Sequence, residues 1–327
     1  MTRTRIARTV GICALAAIAI GFPILNLAAY NQAYAMMHFS GAGTRTPRPE
    51  ALSFGQKVKV LFTGIRVPRP KAGRRPSDLG LPFEEHTIRC ANGIRLSAWY
   101  IPATEPETLV VLFHGYGAEK SGLLTEANLL HQSGWPVLLV DFRGAGDSSG
   151  SVTTAGFLEA DDVAEVLAYA RTRLPHHRAI LFGQSMGAVA ILRAIDCRGV
   201  RPDGIILEAV FDTMLNTVKN RFHAMRVPSF PSAELLVFWG GRQVGFDGFS
   251  HRPVDYARSV KCPVLFMEGA DDPKATPAEA RRVFDAIPGP KEWMEFASVG
   301  HESYAARYPA EWQAAVREFI TRKGDGK

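Results

Sequence analysis

The stretch FGQSMGAVAILRAI, residues 182–195, decides how this chain is read. RAILFGQ, which leads into it, is an apolar run of strand length, and GAVAILRAI carries an apolar face at helical spacing. Ser185 therefore stands where a strand becomes a helix, with Gly183 two residues before it and Gly187 two after. So sharp a turn strains the serine backbone and leaves no room for side chains at the flanking positions, which is why glycine fills both. The pattern G-x-S-x-G on such a turn presents the hydroxyl as a nucleophile. Small residues also serve where a helix simply packs close to a sheet, so the rest of the chain must choose.

Working outward, LVVLF, PVLLV, AILFG, GIILEAV and PVLFMEG are short, continuous apolar runs. Amphipathic segments of helix length separate most of them, near 120–132, 156–172, 186–197 and 277–287. Buried runs alternating with helices predict an α/β fold with a mostly parallel central sheet and helices on both faces. EEHTIRC and IRLSAWYIPA, flanking Ala91-Asn92-Gly93, read as a hairpin ahead of it. The rhythm breaks once. Between GIILEAV and PVLFMEG lies a long aromatic, Pro-rich interval that includes MRVPSFPSAELLVFWGGRQVGFDGFSHRP, which predicts a lid insertion between strands 6 and 7, about residues 211–260.

The charge is unevenly spread. Residues 1–75 hold twelve Lys or Arg and one acidic residue, Glu50, for a net +11, whereas the remainder carries 26 basic and 31 acidic side chains, or −5. A basic arm on a mildly acidic body gives no sign of nucleic-acid binding. Cys13, Cys90, Cys197 and Cys262 lack metal or redox spacing, three of them lie in or beside predicted core elements, and buried free thiols are the reading. Arg3, Arg5 and Arg8 precede the uncharged run 10–29, long enough to cross a bilayer as a helix, with the N-terminus cytoplasmic and the body outside. Ala33-Tyr34-Ala35 also fits an A-x-A cleavage site. A retained membrane anchor is the preferred reading and a cleaved signal peptide the alternative, and both export the body. The expected organisation is thus a segment 1–35 that anchors or is cleaved, a basic Pro-rich connecting arm 36–82, and a catalytic domain 83–327. Within the arm, Phe54, Val58, Leu61, Phe62 and Ile65 recur at helical spacing, as in a short helix lying on lipid headgroups or packed on the body.

More residues fall where an active site at the carboxyl edge of such a sheet needs them. LVVLFHGYG, residues 109–117, is a strand followed by a glycine-rich loop. An oxyanion needs pre-aimed donors, and the N–H groups of Met186, just after the serine, and Tyr116, in this loop, are the candidates. EGADD, residues 268–272, and SVGHESY, residues 298–304, follow later strands and complete the order Ser, Asp, His. His301 would relay the Ser185 proton and an aspartate would hold the imidazole. Asp272 is preferred over Asp271, with Asp212 as the outsider. LLVDFRGAGDSSG, residues 138–150, spaces Gly144, Gly146 and Gly150 one residue too long for a dinucleotide fingerprint, and no P-loop or HExxH is present. No cofactor and no metal are expected.

HGYG, DFRGAGDSSG, GQSMG, GADD and GHESY, in this order and spacing, resemble the α/β-hydrolase superfamily, in particular its serine-aminopeptidase-like and monoglyceride-lipase-like branch. The resemblance covers residues 83–322. The arm resembles that of exported or membrane-anchored bacterial members. By resemblance, Ser185, Asp272 and His301 form the triad, and Tyr116 and Met186 give the oxyanion-hole N–H groups. The expected activity is that of a serine hydrolase acting through an acyl-enzyme on a small-molecule or lipid-derived carboxylic ester. Phe238, Trp239 and Phe246 are expected to line an apolar acyl pocket. The alternatives are a thioesterase, a peptidase that uses Glu234, Asp247 or Asp255 to bind a substrate ammonium, and a non-catalytic binding protein on the same fold. The intact Ser, Asp and His argue against the last.

Overall fold

The structure is a computed structural model and describes residues 3–41, 43–47, 52–104 and 107–322. Eight strands form one sheet: β1 (Glu84–Arg89), β2 (Arg95–Ile101), β3 (Thr108–Phe113), β4 (Val137–Val140), β5 (Arg178–Gln184), β6 (Gly204–Glu208), β7 (Val264–Gly269) and β8 (Lys291–Phe296). The helices are α1 (Arg3–Met37), α2 (Phe54–Thr63), α3 (Leu124–Gln132), α4 (Glu159–Arg173), α5 (Met186–Arg198), α6 (Met214–Ala224), α7 (Ser232–Val244), α8 (Pro253–Tyr256), α9 (Pro277–Ala286), α10 (Tyr304–Arg307) and α11 (Pro309–Arg322).

The strand order is β1-β2-β4-β3-β5-β6-β7-β8. β2 pairs antiparallel with β1 and β4, and every other pairing is parallel. The apolar runs are buried on both faces because alternate residues enter two separate cores. In β3, Leu109, Val111 and Phe113 face the core under α4, α5 and α9, while Val110 and Leu112 face the one under α3 and α11. Parallel register sets the carboxyl ends side by side, with Phe113 opposite Gly183 and Gln184 opposite Glu208.

The helix limits follow from local chemistry. In α9, Thr276 and Glu279 form a capping box with Pro277 in the first turn. In α5, Gly199 takes the left-handed conformation at φ 65° and ends the helix. Between β6 and β7 the chain builds α6, α7 and α8. Cys90 is buried, but Cys197 is exposed near the end of α5, which corrects the expectation of buried thiols.

Residues 10–29 lie within one long helix, α1, in which the side chains of residues 3–11 and 13–18 are outside the described set. Among the described residues no helix is long and apolar enough to cross a membrane. The C-terminal part of α1 packs against α7, and α2 sits on α1. Asn31 Nδ2 donates to Phe62 O and Gln32 Nε2 to Val60 O, both at 2.6 Å, so side chains of α1 satisfy the terminal carbonyls of α2. Beyond α1, Phe39 N–H donates to Ser151 O, and Arg69 donates to the carbonyls of Gly146, Ser148 and Gly150. The arm is thereby fixed to the 138–150 loop.

Candidate active site

Ser185 caps α5 with φ 52° and ψ −110°, a strained conformation for a residue with a side chain. The neighbouring glycines are required by contact. A Cβ on Gly183 would stand 2.5 Å from Ala188 N, and one on Gly187 would stand 2.2 Å from Phe113 O. Ser185 N–H is tied to Glu208 O at 2.7 Å, while Met186 N–H belongs to the first helical turn, whose donors have no intrahelical acceptor. The hydroxyl of Ser185 makes no hydrogen bond among the described residues.

The loop after β3 runs alongside. A Cβ on Gly115 would lie 3.6 Å from Ser185 Cβ, so Tyr116 follows directly beside the serine. His114 holds this loop to the next strand end. Its ring meets Gly115 O at 2.8 Å through Nδ1 and accepts from Phe142 N–H at 3.1 Å through Nε2. Burial lowers its pKa and so favours the neutral ring that this pairing needs.

Asp272 follows β7 and His301 follows β8. Asp272 Oδ2 lies 2.7 Å from His301 Nδ1, and its other oxygen accepts from Lys274 N–H and Ala275 N–H. Asp271 is exposed. Asp212 is engaged elsewhere, by Asn216 and by Arg282 at 2.8 Å. The structure thus brings Asp272 and His301 together, but no hydrogen bond joins His301 to Ser185. Catalytic hydrogen bonds often tighten only when substrate binds.

A cavity open to solvent reaches Ser185. Its walls include Met186, Phe211, Met214, Leu236, Val237 and Phe246. Of the aromatic residues expected here, Phe246 lines the cavity, while Phe238 and Trp239 do not. Leu236, Val237, Gly240 and Gly241 occupy the inward face of α7, and the helical period turns residues 238 and 239 away. Trp239 instead packs edge-on against Tyr30, with centroids 5.3 Å apart, and donates to Asn26 Oδ1. Phe238 is 44% exposed.

Among the wall residues not anticipated from sequence are Ala33, Met36 and Met37, from the end of α1. Tyr116 OH donates to Met36 O at 2.5 Å, and Thr153 N–H to Met37 O at 2.9 Å. Glu159 is also new. Its buried carboxylate accepts from Thr153, Thr154 and Gly156 and so shapes the loop behind the cavity. Two buried carboxyls lie deeper. Burial pushes the Glu208 pKa up to about 8, and Glu208 accepts from Trp312 Nε1 at 2.6 Å. Glu268 is pushed up to about 9, first by burial and then by the Asp272 charge. Among the described residues, no group of His, Cys, Asp and Glu is arranged to hold a metal ion.

The model of the Hydrolase_4 family, described as serine aminopeptidase, S33, matches residues 104–241. The lysophosphatidylserine lipase ABHD12 of Bos taurus is 22% identical over 318 residues, covering 84% of this chain and 76% of the relative. The uncharacterized membrane protein YNL320W of Saccharomyces cerevisiae is 25% identical over 254 residues, or 76% of this chain and 83% of the relative. Among solved structures, the Pyrococcus furiosus esterase Pf2001 superposes with a TM-score of 0.66 at 23% identity, over 78% of this chain and 96% of that one. The partial family match, the fold and the order of motifs agree, and the chain has the α/β-hydrolase fold.

Proposed function

We propose that the protein is a serine hydrolase that cleaves a carboxylic ester with an apolar acyl group. The observation that carries this reading is the apolar cavity opening on Ser185. In the proposed reaction, Ser185 Oγ attacks the ester carbonyl while His301 takes its proton. The N–H groups of Tyr116 and Met186 stabilise the oxyanion. The bond to the alcohol breaks as His301 returns the proton to the leaving oxygen. Water, deprotonated by His301, then releases the acid. Asp272 accepts from His301 Nδ1–H, which leaves Nε2 to exchange the proton and stabilises the charged ring.

The family match carries an aminopeptidase description, so a peptide substrate is the reading to weigh. A free α-ammonium needs a carboxylate facing the cavity. Glu234 is paired with Lys219 at 2.9 Å, Asp247 caps the turn at Phe249, and Asp255 is paired with Arg252 at 2.6 Å. None of the three lines the cavity, whereas Arg221 does and would repel an ammonium. An ester is favoured. A fluorophosphonate probe should label the wild type and not Ser185→Ala, and the wild type should turn over p-nitrophenyl esters faster than aminoacyl amides. Labelling that persists in Ser185→Ala rejects the nucleophile, and faster amide turnover rejects the ester.

The N-terminal segment is read as a retained anchor with the catalytic body outside the cytoplasm. The basic flank and uncharged run support it, as do Ile20, Phe22 and Ile24, which are 66%, 56% and 45% exposed on α1. A relative named as a membrane protein is consistent with it. Cleavage after Ala35 would remove Ala33 from the cavity wall and Tyr30 from its contact with Trp239, which weighs against a removed signal peptide.

A further inference from the structure

We propose that Arg221, Lys274 and Arg45 form an anion subsite at the leaving-group side of the cavity, suited to the phosphate or carboxylate headgroup of an amphiphilic ester. Only the placement relative to the leaving group rests on the serine-hydrolase reading; the cation cluster itself does not.

Arg221, on α6, is half-buried and lines the same cavity as Ser185. Its Nη1 donates back to Thr217 O at 2.5 Å and Thr217 Oγ1 at 2.7 Å. Among the described residues its other nitrogens have no hydrogen-bond acceptor, and no carboxylate lies within ion-pair distance. A guanidinium taken partly out of water and left without a counter-ion is costly unless something else supplies the charge.

Two further cations lie on neighbouring segments, outside the cavity wall itself. Lys274 follows Asp272 by two residues, and its carbonyl accepts from Thr217 and Asn220 of α6, so this loop and α6 are in contact. Its ammonium has no partner among the described residues. Arg45 approaches from the arm, with Nη2 3.6 Å from where a Cβ on Gly117 would stand, just past Tyr116. Partial burial of its stem, then the charge of Arg221, and, after the opposing attraction of Asp272, the charge of Arg45 lower the Lys274 pKa. Arg221 and Arg45 also act together on the buried Tyr116 hydroxyl. The facing anion is Asp272, and both of its oxygens are already taken, by His301 and by two backbone N–H groups.

Position decides which part of a substrate these cations meet. The acyl chain belongs among Met36, Met37, Val237 and Phe246, where a charge would be desolvated without compensation. Lys274 flanks the aspartate that orients His301, the group that protonates the departing alcohol. The anionic group is therefore carried by the alcohol portion, beyond the scissile oxygen. Arginine suits the role because its planar fork meets phosphate or carboxylate in two parallel hydrogen bonds.

The test uses full-length Ser185→Ala protein in a neutral detergent, so that binding is read without turnover. Dodecyl phosphate and its neutral counterpart, dodecyl glycerol ether, are measured for affinity, with inorganic phosphate as a third arm. The expected result is at least tenfold tighter binding of dodecyl phosphate than of the neutral ether, weakening as salt is raised. Adding Arg221→Gln, and separately Lys274→Gln, should each lower that ratio at least fivefold. Lys274 is exposed, so its replacement does not endanger folding. An unchanged ratio in both variants overturns the subsite. Inorganic phosphate binding as tightly as dodecyl phosphate would make it a free-anion site and overturn the headgroup assignment. Ester turnover by the wild type is scored separately, so loss of the hydrolase reading and loss of the subsite are distinguishable.

Discussion

Asp271 and Asp272 are adjacent in sequence and opposite in environment. Asp272 is buried and gives one oxygen to His301 Nδ1 at 2.7 Å, whereas Asp271 is exposed. Replacing the first by asparagine presents the ring with a group that no longer enforces the Nδ1–H tautomer. Asp272→Asn should lower kcat on a p-nitrophenyl ester by about 10³- to 10⁴-fold, while Asp271→Asn stays within about threefold; the reverse order would move the acid to Asp271. The sequence narrowed the choice to neighbours but could not make it, because which of two adjacent residues turns inward depends on how the loop after β7 meets Val299. Glu208 was invisible for a similar reason: a carboxyl buried without a cation leaves no trace in spacing. Its consequence is a pH dependence. With a folded pKa of about 8 against an unfolded value near 4.5, the native state holds a proton that the unfolded chain has released. That contribution is fully present below the unfolded pKa and is lost as pH rises through about 8. Urea unfolding at pH 5 and pH 8 should therefore show the wild type losing more stability across the interval than Glu208→Gln, whose amide can still accept from Trp312. Parallel losses would reject the protonated carboxyl.

At the level of elements, the sheet and its flanking helices were the legible part. Continuous apolar runs of strand length have one stable placement, between two layers of helix, and β3 through β7 took it. The direction in which α7 faces was not legible. Its aromatic content suggested a pocket, but cavity contact is set by the helical period together with the close approach of Gly240 and Gly241. A Cβ on Gly241 would stand 2.4 Å from Phe246 O, so this side of α7 must be bare. Two aromatic residues expected to act alike should consequently differ. Phe246→Ala removes cavity wall and should raise KM for octanoate esters several-fold more than for acetate. Trp239→Ala removes the edge-on contact to Tyr30, worth about 0.5–1.5 kcal/mol beyond the area it buries, and should lower turnover of both esters together. Chain-length profiles of the two variants check this, and a selective loss on octanoate in Trp239→Ala would return that residue to the pocket.

Across the whole molecule, the C-terminal part of α1 and the body cannot be treated as tether and cargo. Periodicity and charge placed an apolar helix at the N-terminus, but nothing in them says that its last turns close a cavity against a helix some two hundred positions later. The structure joins the two through the Tyr116 hydroxyl on Met36 O, the Thr153 N–H on Met37 O, Trp239 on Asn26 and Gln243 on Tyr30 O. Removing residues 1–35 would leave Met36 and Met37 without the helix that holds them and would bare the face of α7 that carries Trp239. A variant beginning at Met36 should thus lose at least tenfold in kcat/KM on long-chain esters relative to the full-length protein in detergent, with a smaller loss on acetate. In cells the intact protein should sediment with membranes, be open to protease added outside, and retain its original N-terminus on sequencing. A shortened variant equal to the full chain on every ester would reduce α1 to a tether, and a native N-terminus at Met36 would show that the body works without it.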